Sequence, residues 1–197
     1  TGYHNHHFVW LGGYNPPTAW PQGGAGTRPS GAERFTVGVE PSGKRWAWDF
    51  YTYWMEMRSG ADRNFWGNDF INDPTFAVRR GEWICVELMV KLNDPSGERN
   101  GEQQFWIDGQ SRERDGQIIS HVGPGFPNGH WVWDSFHANP ADPPFEGLRF
   151  RKDESLKINF LWLENYITGA DRETKVWFDD VVVAKRYIGP IRMAGGE

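Results

Sequence analysis

Glu87, Lys91, Gln104 and Trp106 fall within residues 81–109, GEWICVELMVKLNDPSGERNGEQQFWIDG, at positions of matching parity. A carboxylate, an amine, an amide and an indole on one surface can hydrogen-bond a polyhydroxylated ring, stack on it and move a proton. The bland role for Lys91 is a cross-strand ion pair with Glu87 or Glu102. A second group lies in HNHHFVW, residues 4–10, where His4 and His6 are two apart, a spacing that suits a metal on a strand. No cysteine or further histidine lies nearby in sequence, and His121, His130 and His137 sit in loop-like segments. A structural role is therefore expected first for these histidines, a hydrogen bond to substrate or action as a base second, and no metal is assigned. No cofactor is expected, and a structural calcium ion stays open.

The elements that must position these groups follow from periodicity. Ile84, Val86, Leu88, Val90 and Leu92 alternate, which predicts a strand with that set facing a core. After the turn-rich NDPSGERNG, Phe105 and Ile107 face inward, whereas Glu102, Gln104 and Trp106 face outward. The two runs read as a hairpin. Its register sets Asn93 against Glu102, Lys91 against Gln104 and Met89 against Trp106, or slips by two; parity is fixed by the apolar face.

Residues 34–40 and 45–58 form a second predicted hairpin. Trp46, Trp48, Phe50 and Trp54 share one face of RWAWDFYTYWMEMR; Asp49, Tyr51 and Tyr53 share the other. Bulk on both faces marks a central strand with core below and something binding or covering above. Glu56 and Arg58 continue the Trp face. Residues 11–32 read as a packed rim loop whose candidate contacts are Tyr14, Trp20 and Arg28. Residues 110–147 carry Trp131, Trp133, His130 and His137 and are expected to lie against the sheets as a wall. Strands are expected at 148–152, at 156–168 with Trp162, Glu164 and Tyr166 on one face, and at 174–188.

The 197 residues suffice for one domain spanning 1–197. The fold class is all-β, a two-sheet antiparallel β-sandwich. A net charge of −5 does not support a nucleic-acid partner, and no apolar run approaches a membrane span. Cys85 is alone, so no intrachain disulfide forms. Twelve tryptophans are the informative excess; most are expected in the core, and a minority on a ligand.

Three runs, ELMVKLNDPSGERNGEQQFWIDG, GLRFR and VWFDDVVVAKRYIGP, carry a family likeness. Over residues 81–190 the chain resembles the jelly-roll polysaccharide lyases related to alginate and glucuronan lyases. The resemblance implies a concanavalin A-like jelly roll, a uronate-containing polysaccharide as partner, cleavage by β-elimination on a concave sheet face, and a secreted or periplasmic location. It also implies that Thr1 begins inside the jelly roll, with one or two N-terminal strands lacking. LWLENYITG departs from the Phe-Phe-Gly-Gly-like run of those lyases.

Elimination requires a group that neutralises the carboxylate, a base, and an acid for the leaving oxygen. The resemblance offers Arg58, Gln104, Asn159 and Arg151 for the first task, and Lys91, His6, His7 or Tyr166 for proton transfer. The expected catalytic set is Lys91, Tyr166, Gln104 and Arg151. Trp106, Glu87, Arg58, Trp46, Trp48, Glu164, His6 and His7 are the expected substrate contacts. Two other readings stand beside it: a non-catalytic carbohydrate-binding module stacking on Trp46, Trp48 or Trp106, and a glycoside hydrolase pairing two of Glu56, Glu87, Glu102 and Glu164. The chain lacks the E-x-D-x-x-E signature of laminarinase-like hydrolases, which ranks hydrolysis below elimination.

Overall fold

The computed structural model describes residues 4–6, 8–21, 24–42, 46–169 and 171–190. No helix occurs among them, and every strand ladder is antiparallel. In chain order the strands are β1 (His4–His6), β2 (Val9–Tyr14), β3 (Arg34–Ser42), β4 (Ala47–Tyr53), β5 (Val86–Lys91) and β6 (Glu102–Ile107). After them come β7 (Glu113–Arg114), β8 (Gln117–Ile118), β9 (His121–Val122), β10 (Gly129–Val132), β11 (Ser135–Ala138), β12 (Phe160–Leu163) and β13 (Tyr166–Thr168).

Two sheets carry the fold. One is four-stranded in the order β12-β2-β3-β4, the other three-stranded in the order β5-β6-β9. Small ladders join β1 to β13, β7 to β8, and β10 to β11. In β3 the β-branched Val37 and Val39 alternate with Gly38; the odd set, with Phe35, faces the apolar core at 0% exposure, and Thr36 and Glu40 on the other face are buried as well. Phe50 of β4 meets Phe105 of β6 at 4.8 Å between ring centroids, edge to face. The two sheets thus enclose one core and form a sandwich-like, all-β fold. Thr52 Oγ1 donates to Gln103 Oε1 across the core at 2.9 Å, tying β4 to β6. The wall expected from residues 110–147 is present: Trp131 and Phe136 of the β10–β11 hairpin pack on Phe70 at 5.3 and 6.2 Å.

The first hairpin keeps its parity and takes the slipped register, with Lys91 opposite Glu102, Met89 opposite Gln104 and Glu87 opposite Trp106. Phe105 and Ile107 are fully buried, whereas Ile84, Val86, Leu88, Val90 and Leu92 are half-buried against the core. β5 is the edge of its sheet, so its inward side chains lack a neighbour on one flank. Residues 148–152 form no strand. Arg151 is instead buried there, and its guanidinium donates to the backbone carbonyls of Asn93, Glu154 and Leu156. The run 156–168 divides into β12 and β13.

Residues 174–188 do not join a ladder, contrary to their β-branched composition. Trp177 and Val181–Val183 are exposed. Composition favours a pleated surface, but a strand also needs a partner edge, and no edge takes this segment. Its end instead docks side-on against the outer face of β5 and β6.

Candidate functional site

The face of the four-stranded sheet turned away from the core carries an aromatic row. Trp162 of β12 is opposite Trp10 of β2, Trp10 is opposite Gly38 of β3, and Gly38 is opposite Tyr51 of β4. Parity places these side chains on the face that Phe35, Val37, Val39 and Phe50 do not use. Ring centroids are 6.5 Å apart for Trp10 and Trp162 and 6.2 Å for Trp10 and Tyr51. Trp20, from the predicted rim loop, continues the line 6.0 Å beyond Trp162 and is 69% exposed. Two residues along each strand, Phe160, Gly12, Thr36 and Tyr53 form a second, parallel line. A Cβ at Gly12 would run into the Phe160 ring, so only glycine lets that ring lie flat on the sheet.

At the β4 end the row becomes polar. The Tyr51 and Tyr53 hydroxyls are 3.5 Å apart, and burial raises both above the ordinary tyrosine range. Both phenols therefore keep their protons and can serve as donors. Arg34 lies 5.2 Å from the Tyr53 ring, but its guanidinium is spent on Gly24 O, Thr27 O and Thr27 Oγ1. Gly67 caps the Tyr51 ring; a Cβ there would come within 2.6 Å of it.

Beneath this end lies a carboxylate pair. Asp49 accepts four backbone N–H groups, from Phe50, Phe70, Ile71 and Asn72, at 2.7 to 2.9 Å. Burial pushes both Asp49 and Asp69 up, and at Asp49 the four N–H groups oppose the shift. Asp69 has no such donors among the described residues, and it also feels the charges of Asp49, Glu40 and Asp134. We place the negative charge on Asp49 and the proton on Asp69.

A separate cleft of about 460 Å³ opens between residues 54–58 and the wall formed by 129–147. Arg28, Arg58, Arg99, Glu56, Glu146 and Trp131 line it. Arg99 grips Glu56 with two bonds, at 2.7 and 3.0 Å. Asn68, wholly buried, accepts from Arg58 N and Trp54 Nε1 and donates to Arg58 O, which fixes the backbone under Arg58.

The groups expected to do chemistry on the β5–β6 hairpin share one face and are already engaged. Lys91 Nζ bonds Glu102 Oε1 at 2.6 Å, and His121 Nε2 is 3.0 Å from Glu102 Oε2. Burial alone would raise Glu102, but the bonds to Lys91 and His121 hold it below the usual range. Glu87 accepts the N–H groups of Ile188 and Gly189 at 2.7 and 2.9 Å, and Trp106 lies 4.9 Å from the Tyr187 ring. Gln104 donates to Ser111 Oγ at 3.3 Å.

The remaining candidates scatter. Trp48 is 2% exposed, a core residue set edge-on to Phe8 rather than a stacking platform. Trp46 carries the Arg80 guanidinium 3.9 Å above its ring. Asn159 bonds the backbone N–H and C=O of Tyr14, extending the β2–β12 edge. Arg151 is held in the fold as described, and Arg58 lines the cleft. Glu164 follows β12 and donates its N–H to Phe8 O. Tyr166, 53% exposed, sits in the β1–β13 ladder opposite His6, in a different sheet from Lys91. The side chain of His6 and the whole of His7 lie outside the described residues.

The sequence reading passed over Trp10, Gly38 and Tyr51 as a unit. A glycine between two valines within a strand was the available signal. Compared with known proteins, the chain matches no family model, no curated protein and no solved structure.

Proposed function

We propose that this chain binds a polysaccharide along the aromatic row of its four-stranded sheet, at the end where Trp20 and Trp162 reach the surface. One observation carries the reading: Trp162, Trp10 and Tyr51 stand in register across the sheet, and Trp20 extends the line into solvent. Sugar rings present C–H faces to aromatic rings and keep their hydroxyls for water and polar edges. A row of rings with centroids 6.0 to 6.5 Å apart suits successive units of an extended chain better than one compact ligand.

β-Elimination of a uronate-containing polymer is the second reading, favoured by the Tyr51–Tyr53 hydroxyl pair at the end of the row. Paired hydroxyls at that point are placed to hydrogen-bond a leaving glycosidic oxygen. Binding ranks first because Lys91 and Arg151, the expected base and carboxylate partner, are each committed within the fold.

A panel of acidic and neutral polysaccharides separates the readings. Retarded migration in polysaccharide gels without products supports binding. Unsaturated-product absorbance together with new reducing ends supports elimination, and reducing ends alone indicate hydrolysis. No retardation and no product on any polymer sinks both readings.

A further inference from the structure

We infer that the cleft beside residues 54–58 is a second binding site, one that takes a sugar ring bearing an oxyanion, whether a carboxylate or a sulfate ester. It is distinct from the aromatic row and does not depend on it.

Charge is the first reason. The chain is acidic overall, at −5, yet the cleft lining sets three arginines against two glutamates. Both glutamates lie on Arg99, with Glu56 held at 2.7 Å and Glu146 at 3.7 Å. Among the described residues no carboxylate comes within 4.0 Å of Arg28 or Arg58, so two guanidiniums remain for an incoming anion.

The aromatic surroundings are the second. Arg28 lies 5.6 Å from the centroid of Phe65, and Arg58 lies 6.0 Å from that of Trp131. A cation–π contact takes up none of a guanidinium's hydrogen-bond donors, so its N–H groups are left for a carboxylate or sulfate.

The third reason is preorganisation. Asn68 is fully buried and clamps both backbone groups of Arg58, at 2.8 Å each. Holding the arginine in place beforehand lowers the ordering cost of binding. Trp131, Pro143, Pro144 and Phe145 supply an apolar wall for the ring that carries the anion. A cleft of about 460 Å³ falls in the range that encloses a small ligand.

The test titrates the full chain with glucuronate, glucose 6-sulfate, glucose and inorganic sulfate by calorimetry, alongside Arg58→Gln and Arg28→Gln. At least one anionic sugar should bind tenfold or more tightly than both glucose and inorganic sulfate, roughly 1.4 kcal/mol. Whichever of the two prevails identifies the oxyanion. Each variant should lose that advantage at unchanged melting temperature, while retention on a polysaccharide that does not need the cleft is unaffected. Equal binding of glucose, equal binding of inorganic sulfate, or full affinity in both variants would overturn the proposal. Trp162→Ala should leave the small-sugar titration untouched, so failure of the row and failure of the cleft are distinguishable.

Discussion

Trp10 and Tyr51 belong to strands that are not neighbours, yet their rings meet at 6.2 Å because β3, between them, presents Gly38 in the same register line. A side chain on β3 at that point would stand between the two rings. The glycine converts three separate strands into one aromatic surface, at the modest cost that glycine brings to a strand.

Trp162→Ala should therefore weaken polysaccharide retention about tenfold, on the order of 1.4 kcal/mol, with little loss of stability. Trp162 is only partly buried and lies on the edge strand β12. Affinity gels and tryptophan-fluorescence titration give the measurement. Retention equal to that of the unaltered chain would detach the row from ligand binding.

Lys91→Met keeps most of the apolar stem and removes the ammonium. The side chain is 61% exposed, so its pair with Glu102 is screened and worth under about 1 kcal/mol. Urea midpoints should move little, and any turnover of the protein should stay within about twofold. A hundredfold fall in turnover would return Lys91 to the role of catalytic base.

Asp49→Ala should be far more damaging. Four backbone N–H groups lose their acceptor in a buried site, which costs roughly 3 kcal/mol or more. Asp49→Asn retains an acceptor and should fall between the two. Chemical denaturation of all three proteins provides the check, and an alanine variant as stable as the parent would contradict the assignment.

Asp69 predicts a pH dependence. Its folded pKa is raised by burial and by neighbouring carboxylates, so its contribution is fully present below the unfolded value, near about 3.9. That contribution is lost as pH rises through the folded pKa. Asp69→Asn removes the loss, so the variant should gain stability relative to the parent as pH rises from 4 to 7. Parallel stability curves over that range would place the proton elsewhere.

Local periodicity made the all-β class, the parity of the β5–β6 hairpin and the two-faced character of β4 legible, because each depends on residues a few positions apart. The loop expected over 11–32 starts only after Tyr14, since residues 11–14 belong to β2, but Trp20, Arg28 and Arg58 were nameable from local pattern. The aromatic row did not, since it joins residues 10, 38, 51 and 162 through strand register, which no local window contains. The cleft draws on five separate stretches of chain for the same reason. Trp48 shows the opposite difficulty: its aromatic type suits a platform and a core equally, and only packing against Phe8 and the core separates the two. The segment 174–188 has the composition of a strand, but pairing depends on an available edge rather than on composition.

Gly67 caps the ring of Tyr51, and the next residue, Asn68, clamps the backbone of Arg58. Two consecutive residues thus bear on both proposed sites at once. Were a polymer on the row to displace Gly67, Asn68 would be the residue through which Arg58 felt it, and any such coupling would be reciprocal: whatever factor a bound polymer imposed on the affinity for a small anionic sugar, that sugar would impose on the polymer. Titrations performed in either order should return the same coupling, and a factor of one in both orders would show Gly67 and Asn68 to be mechanically independent.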